Sequence, residues 1–438
     1  MFGLSPEWLL YNGRPVASAL VLAHEAELAR LATLTPAAAH IGVVAGDPAY
    51  DRMLASAHLR MHYREALHVA PARKLITVCT TWSQRSLLGT WPQLFRELAA
   101  CLPRDEYRIV GVVHPNTWHG HGAWQVKSWL ADARRAGLTL IGPTEGWQAV
   151  LLASDLIVGD FGATTCYGAA VGIPTLLAGF SDADVAPDSV GELLGRLAPR
   201  INRYESLRTQ LDKALEDDRA AEDTRSEKNA PPRYAPIAEL MSSCPGESIE
   251  RLRALCYRHL KLPVPQAKPV TAIIPPELVA IPTPDVLADL VVCTTTSRGR
   301  YTVSRYPAAI EIDRSTADYL DDAFLVVHEN HPQQALLRES PVVLGTAPAA
   351  GQSLDDILTA ILRRLPAARV VAVPADNETI IVRIRDDRRI ILSGNDTGLA
   401  AALVYEWLLT GGGELPPELI ADTGADRVVF SLRGSAPA

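Results

Sequence analysis

Three short polar stretches carry residue types suited to handling a phosphate. Gly159-Asp160-Phe161-Gly162 ends an apolar run, Leu156 to Val158, and precedes the Ala-rich segment Ala163 to Val171, which closes at Gly172 with Pro174 two residues on. Strand, Gly-rich turn and helix in that order aim unpaired N–H groups and the positive end of the helix dipole at one spot, where an anionic group is the natural guest. Thr164 and Thr165, in the first helical turn, would add hydroxyl donors. Asp160 reads equally as a helix cap, and the glycines as a tight turn. The second stretch is Thr80-Thr81-Trp82-Ser83-Gln84-Arg85. The third is His114-Pro115-Asn116, followed by Trp118, His119 and His121. His119-Gly120-His121 lacks a carboxylate or third ligand at metal-binding spacing, so neither metal nor cofactor is expected. His114 reads either as a rim residue or as a buried histidine bonded to backbone, and Arg85 as solvated or as a phosphate clamp.

The elements that must position these stretches alternate between strand and helix from Lys74 to Leu177. Strands are predicted at Leu75 to Cys79, Arg108 to Val113, Thr139 to Ile141, Leu156 to Val158 and Thr175 to Leu177, with helices near Trp91 to Cys101, Trp124 to Ala136, Gly146 to Ala153 and Ala163 to Val171. This is the pattern of an α/β fold with a doubly wound parallel sheet. Ligands of such sheets bind beyond the carboxyl ends of the strands, which is where all three polar stretches fall. Thr81, His114 and Thr164 are therefore expected around a single cleft, with Trp82 and Trp118 placed to meet a base.

Composition sets the outer bounds. A chain of 438 residues with 48% hydrophobic and 21% charged content can bury sizeable cores and fill two or three domains. A net charge of −8 argues against general nucleic-acid binding, which needs a basic surface. Six cysteines show no CxxC or zinc spacing and sit mostly in apolar runs, the usage of a reducing cytoplasm. No apolar run approaches the roughly 18 residues of a membrane span, so any membrane contact is expected to be peripheral. The oligomeric state is not legible.

Residues 1–50 offer only one αβ step, too little for an independent domain. Arg52, His58, Arg60, His62 and Arg64, on the helix that follows, read as a solvated face. Arg219 to Arg233 has almost no apolar content beyond alanine and reads as a surface loop. Ser248 to Leu262 reads as a helix capped by Ser248, and Pro263 to Pro276, with five prolines, as a stiff linker. After it, strands at Leu290 to Thr294, Ala308 to Ile312, Phe324 to His328, Val342 to Leu344, Arg369 to Val373, Ile380 to Ile384, Ile390 to Leu392 and Val428 to Leu432, with helices at Leu354 to Leu365 and Gly398 to Leu409, predict a smaller α+β domain.

Between about Gly46 and Leu262 the chain resembles the C-terminal half of a GT-B fold, most nearly the CDP-glycerol glycerophosphotransferases, and more distantly the non-hydrolysing UDP-N-acetylglucosamine 2-epimerases. Gly46-Asp47-Pro48 with Asp51, Thr80-Thr81-Trp82, His114-Pro115, Ala153-Ser154-Asp155 leading to Gly159-Asp160, and Pro245-Gly246-Glu247-Ser248 carry the resemblance. Phe161-Gly162-Ala163-Thr164 departs from the family's Tyr-Ser-Ser. The resemblance implies four segments: 1–50 as the remnant of an N-terminal Rossmann-like domain, 51–263 as a nucleotide-binding domain, 264–276 as linker, and 277–438 as an α+β domain of unassigned role. The acceptor-side domain is then largely absent. It further implies a nucleotide-diphosphate donor, CDP- or UDP-linked, held by Thr80, Thr81, Trp82, Gly162, Thr164 and Thr165, with His114 and Asp160 as catalytic candidates. The activity implied is group transfer of glycerophosphotransferase or glycosyltransferase type in a cytoplasmic cell-wall polymer pathway. The alternative is an inactive nucleotide-binding or assembly module.

Overall fold

Apolar runs bounded by Gly, Pro and Asp become short strands through the first 280 residues, as shown by a computed structural model that describes residues 2–228, 232–280, 286–308, 320, 322–349, 351–424 and 426–437. A minimal hairpin, β1 (Leu10–Tyr11) with β2 (Arg14–Pro15), is followed by β3 (Leu20–Leu22), α1 (Glu25–Leu34) and β4 (Gly42–Val44), and β3 and β4 pair in parallel. After α2 (Pro48–Ser56) come β5 (Lys74–Thr80), β6 (Tyr107–Val113), α3 (Pro115–His121), β7 (Thr139–Ile141), α4 (Trp147–Ala153), β8 (Leu156–Gly159), α5 (Ala163–Ala170), β9 (Thr175–Leu177) and α6 (Val190–Leu197). The strands form one five-stranded sheet in the order β7-β6-β5-β8-β9, with parallel register from Ile76 opposite Leu156 and from Ile157 opposite Thr175. Every residue of β6 and β8 is buried, as a parallel strand covered on both faces requires. The α/β expectation for this part of the chain holds.

Compactness divides the described chain into two units. The first comprises Met1–Phe95, Ile109–Trp129 and Thr139–Pro282; the second comprises Arg96–Arg108, Leu130–Leu138 and Thr283–Ala438.

Several expectations in the first unit are corrected. Arg60 and Arg64 are not solvated: they converge on Asp155 at 2.6 and 2.8 Å, and also donate to the carbonyls of Leu152, Ala153 and Ser154 at the carboxyl end of α4. A cation there meets unpaired carbonyls and the negative end of the dipole. Arg219 to Lys228 is not a loop but the end of α7 (Leu207–Lys228), because Ala, Glu and Arg are strong helix formers; residues 229–231 lie outside the described residues. In α8 (Ser248–Leu260) the cap is reversed, with Asp51 accepting both the N–H and the hydroxyl of Ser248. The Pro-rich segment ends packed rather than free: Ile274 is fully buried, and Tyr63, Ser56 and Arg52 satisfy the backbone of Ala272 to Ile274.

The second unit corrects the α+β expectation. Nine strands close into a barrel in the order β10-β11-β17-β18-β16-β15-β14-β13-β12, built from β10 (Ala288–Ser297), β11 (Arg300–Pro307), β12 (Phe324–His328), β13 (Val342–Leu344), β14 (Val370–Pro374), β15 (Thr379–Ile384), β16 (Arg388–Ser393), β17 (Glu418–Thr423) and β18 (Asp426–Pro437). The strand expected at Ala308 to Ile312 falls largely outside the described residues. α9 (Leu354–Arg364) packs on an apolar layer of Val327, Val343, Val371 and Ile381. α10 (Thr397–Leu409) is apolar all round, and every barrel strand contributes to the cluster containing its Leu399 to Trp407. A helix without a polar face must be enclosed. Asp396 caps it through the Leu399 N–H and pairs with Arg305, a strand residue 8% exposed.

Candidate functional site

The carboxyl ends of β5, β6 and β8 open onto one cleft of about 860 Å³. The loop leaving β5 supplies Thr81, Trp82, Ser83, Gln84 and Arg85; β6 supplies His114; the turn after β8 supplies Phe161, Gly162 and Ala163. That convergence follows from the parallel sheet, which presents all its carboxyl ends on one side.

Asp160 organises the wall from beneath. It is fully buried; its Oδ2 accepts the N–H groups of Thr81 at 2.8 Å and Leu87 at 2.9 Å, while Oδ1 accepts the Gly162 N–H at 3.0 Å. Burial pushes its carboxyl up to about 6, against the pull of those three hydrogen bonds. Thr80 is buried too, accepting the Leu88 N–H at 3.0 Å. Two loops far apart in sequence are thus stapled by one carboxylate. Ser83, in the stapled loop, has φ +106°, a conformation that L residues rarely hold without support from their surroundings.

His114 closes β6 and caps α3: its Nδ1 accepts the Asn116 N–H at 3.0 Å, and its backbone N–H donates to the Thr80 carbonyl at 3.1 Å. With Nδ1 an acceptor, the neutral ring carries its proton on Nε2. Partial burial holds its pKa below the usual imidazole range. The ring lies 6.4 Å from that of Trp82, which is half exposed. Trp118, by contrast, is buried and donates to the Val113 carbonyl, so it cannot meet a ligand base.

Gly162 caps α5 at a close approach: a Cβ there would stand 3.0 Å from Asp160 Oδ1 and 3.1 Å from Thr81 Cβ. The N–H groups of Thr165 and Cys166 return to the Gly162 carbonyl, so Ala163 and Thr164 hold the α5 N–H groups without an intrahelical acceptor. Thr165 does not offer its hydroxyl to the cleft. It is fully buried, with Oγ1 filling the space that a Cβ on Gly159 would need. The cleft therefore gathers Thr81, Trp82, His114 and Gly162 into its lining; Thr80, Asp160 and Thr165 are buried beneath it, and the half-buried side chain of Thr164 does not line it.

Residues that sequence reasoning did not assign complete the lining: Ala23 and Glu27 of the N-terminal segment, Asp47, Asp184 and Ser189. Four helices begin at this wall, α1 after Ala23, α2 capped by Asp47, α5 capped by Gly162 and α6 capped by Ser189. Their positive dipole ends offset the lining carboxylates. Asp47-Pro48 carried a signal, a cap followed by proline at the first helical position. Ser189 carried one too, the Ser-x-x-Glu spacing to Glu192 of a capping box, and Asp184 carried none.

No family model matches the chain, and no curated protein matches its sequence. Among solved structures it is similar to the wall teichoic acid polymerase TagF (13% identity, 56% of this chain and 58% of that one, TM-score 0.40). It is also similar to HepE of Anabaena in complex with UDP-glucose (15%, 59% and 70%, TM-score 0.31) and to a glycosyltransferase of Rickettsia africae (14%, 57% and 64%, TM-score 0.32). The chain spans little more than half of the polymerase's length. Likeness of this degree fixes neither ligand nor reaction.

Proposed function

We propose that the cleft binds a nucleotide-diphosphate donor, CDP- or UDP-linked, and supports transfer of its activated group. The convergence of Thr81, Trp82, His114 and the Gly162 end of α5 on one cleft carries this reading. The diphosphate lies on the free N–H groups at the start of α5, where fixed dipoles stabilise the charge that develops on the leaving phosphate. His114 donates from Nε2 to the same charge. Trp82 offers a stacking face to the base. Asp160 acts by holding the Thr81 and Gly162 N–H groups in place.

One observation favours a second reading, a nucleotide-binding module without turnover. Asp160 is sealed and the Nδ1 of His114 already accepts the Asn116 N–H, so neither predicted catalytic residue is free to accept a proton from an acceptor hydroxyl. A thermal-shift panel of CDP-, UDP- and GDP-linked donors tests both, since a ligand at 100 times its Kd adds about 2.7 kcal/mol to stability. Stabilisation with turnover of donor supports transfer; stabilisation without turnover supports the module; no response rejects both.

A further inference from the structure

Asp184 sits in a single helical turn, Asp182–Asp184, between β9 and α6, and lines the cleft. Its side chain is only 6% exposed. Oδ1 accepts a hydrogen bond from Arg85 Nη2 at 2.6 Å, whereas Oδ2 is buried with no partner among the described residues. A carboxylate oxygen shut away without a donor is a costly arrangement, and a folded protein rarely keeps one that serves nothing. The loop around it is pinned, with Arg30 donating to the Pro187 carbonyl and Ser189 capping α6. Its cover is not: the Arg85 side chain is 59% exposed. An ion pair with one partner this exposed is weakly held.

We propose that Asp184 is a specificity-determining acceptor that reads a vicinal diol of the bound ligand, Arg85 leaving it for the ligand's diphosphate as the diol arrives. This rests on the nucleotide-diphosphate reading above. The exchange conserves pairing: the guanidinium passes from one carboxylate to phosphate oxygens, to which it can bind in bidentate fashion, and two adjacent hydroxyls satisfy both carboxylate oxygens. A second cation in place of the diol would compete with Arg85 for the same charge. Neutral donors fit the pocket without that conflict. The diol belongs either to the ribose or to the transferred sugar or polyol.

Calorimetric titration of the full chain with UDP and CDP, their 2′,3′-dideoxy forms, and UDP-glucose and CDP-glycerol separates these sources. A ribose diol predicts that the ribonucleotides bind about tenfold or more tightly than the dideoxy forms, the usual strength of hydrogen bonds to a charged acceptor. A diol on the transferred group predicts no such preference, but about tenfold tighter binding of the linked donor than of free nucleotide. In either case Asp184→Ala, or the isosteric Asp184→Asn should alanine fail to fold, reduces the ratio towards one. Arg85→Gln weakens diphosphates with and without the diol alike. Nucleotide binding with both ratios unchanged in the Asp184 variants overturns this inference alone. Absence of nucleotide binding by the unaltered protein overturns it together with the proposed function.

Discussion

The carboxylate of Asp160 accepts the backbone N–H of Thr81 at 2.8 Å across 79 residues of sequence, and this bond fixes how the β5 loop meets the start of α5. Because Leu87 and Gly162 donate to the same carboxylate, Asp160→Ala leaves three backbone N–H groups without their acceptor. The expected loss is about 3 kcal/mol of unfolding free energy at about pH 5, on the scale of leaving several buried donors unpaired, read by urea denaturation. A loss below about 1 kcal/mol would show that the staple is dispensable.

The same group sets a pH dependence. Its pKa in the folded chain is raised from an ordinary 3.8 to about 6, so the folded state holds the proton more tightly than the unfolded one. The stability it contributes is full below pH 4 and is lost as pH rises through 6. The gap between 3.8 and about 6 corresponds to about 3 kcal/mol, and Asp160→Asn should flatten that slope. Unfolding curves at intervals between pH 4 and 7 measure it, and identical slopes in the variant and the parent would refute it.

His114→Asn should spare folding, since Asn is itself a favoured helix cap and can keep the Asn116 N–H satisfied. Transfer activity, in contrast, should fall by about 10²–10³, the usual cost of removing one donor from a developing oxyanion. Steady-state kinetics with unchanged kcat would remove His114 from the mechanism.

Gly162→Val tests the close approach. Its side chain must displace Asp160 or Thr81, so the expected destabilisation is about 1–3 kcal/mol together with weaker nucleotide binding. Titration calorimetry and thermal melts on the same sample report both effects.

Arg64→Ala should cost about 3–5 kcal/mol, because it removes the buried partner of Asp155 and leaves the carbonyls of Ala70, Arg73 and Ala153 without their donor, while Arg60→Ala, which removes the more exposed partner, should cost less. Equal effects in denaturant melts would contradict the burial argument.

Much of the first unit was legible because burial on both faces writes itself as short apolar runs; Thr139–Ile141 and Thr175–Leu177 have the ends predicted for them. Local composition misled where a long-range partner decides. Arg60 and Arg64 look solvated until Asp155 is brought to them, and Asp184 is unremarkable until Arg85 folds over it. Nor does local alternation disclose barrel closure. The alternation of Tyr301 and Val303 with Thr302 and Ser304 marks β11, Arg300–Pro307, as a strand, but nothing in it shows that it joins β10 to β17. The site was read through residues that touch the strand ends, and its far wall, from Glu27 to Ser189, was missed for the same reason.

The enclosed helix α10 has a consequence for biosynthesis. Arg300 of β11 pairs with Ile420 of β17, so the wall cannot close until the chain beyond α10 has left the ribosome. At translation rates of about 5–20 residues per second, Leu399 to Trp407 is synthesised before β17 and β18 exist to cover it. For that interval the nascent chain presents an apolar helix whose enclosing wall lacks two of its nine strands, a natural client for chaperones. Chains terminating near residue 410 would keep it exposed permanently, and their fate would be aggregation or degradation rather than a smaller folded protein.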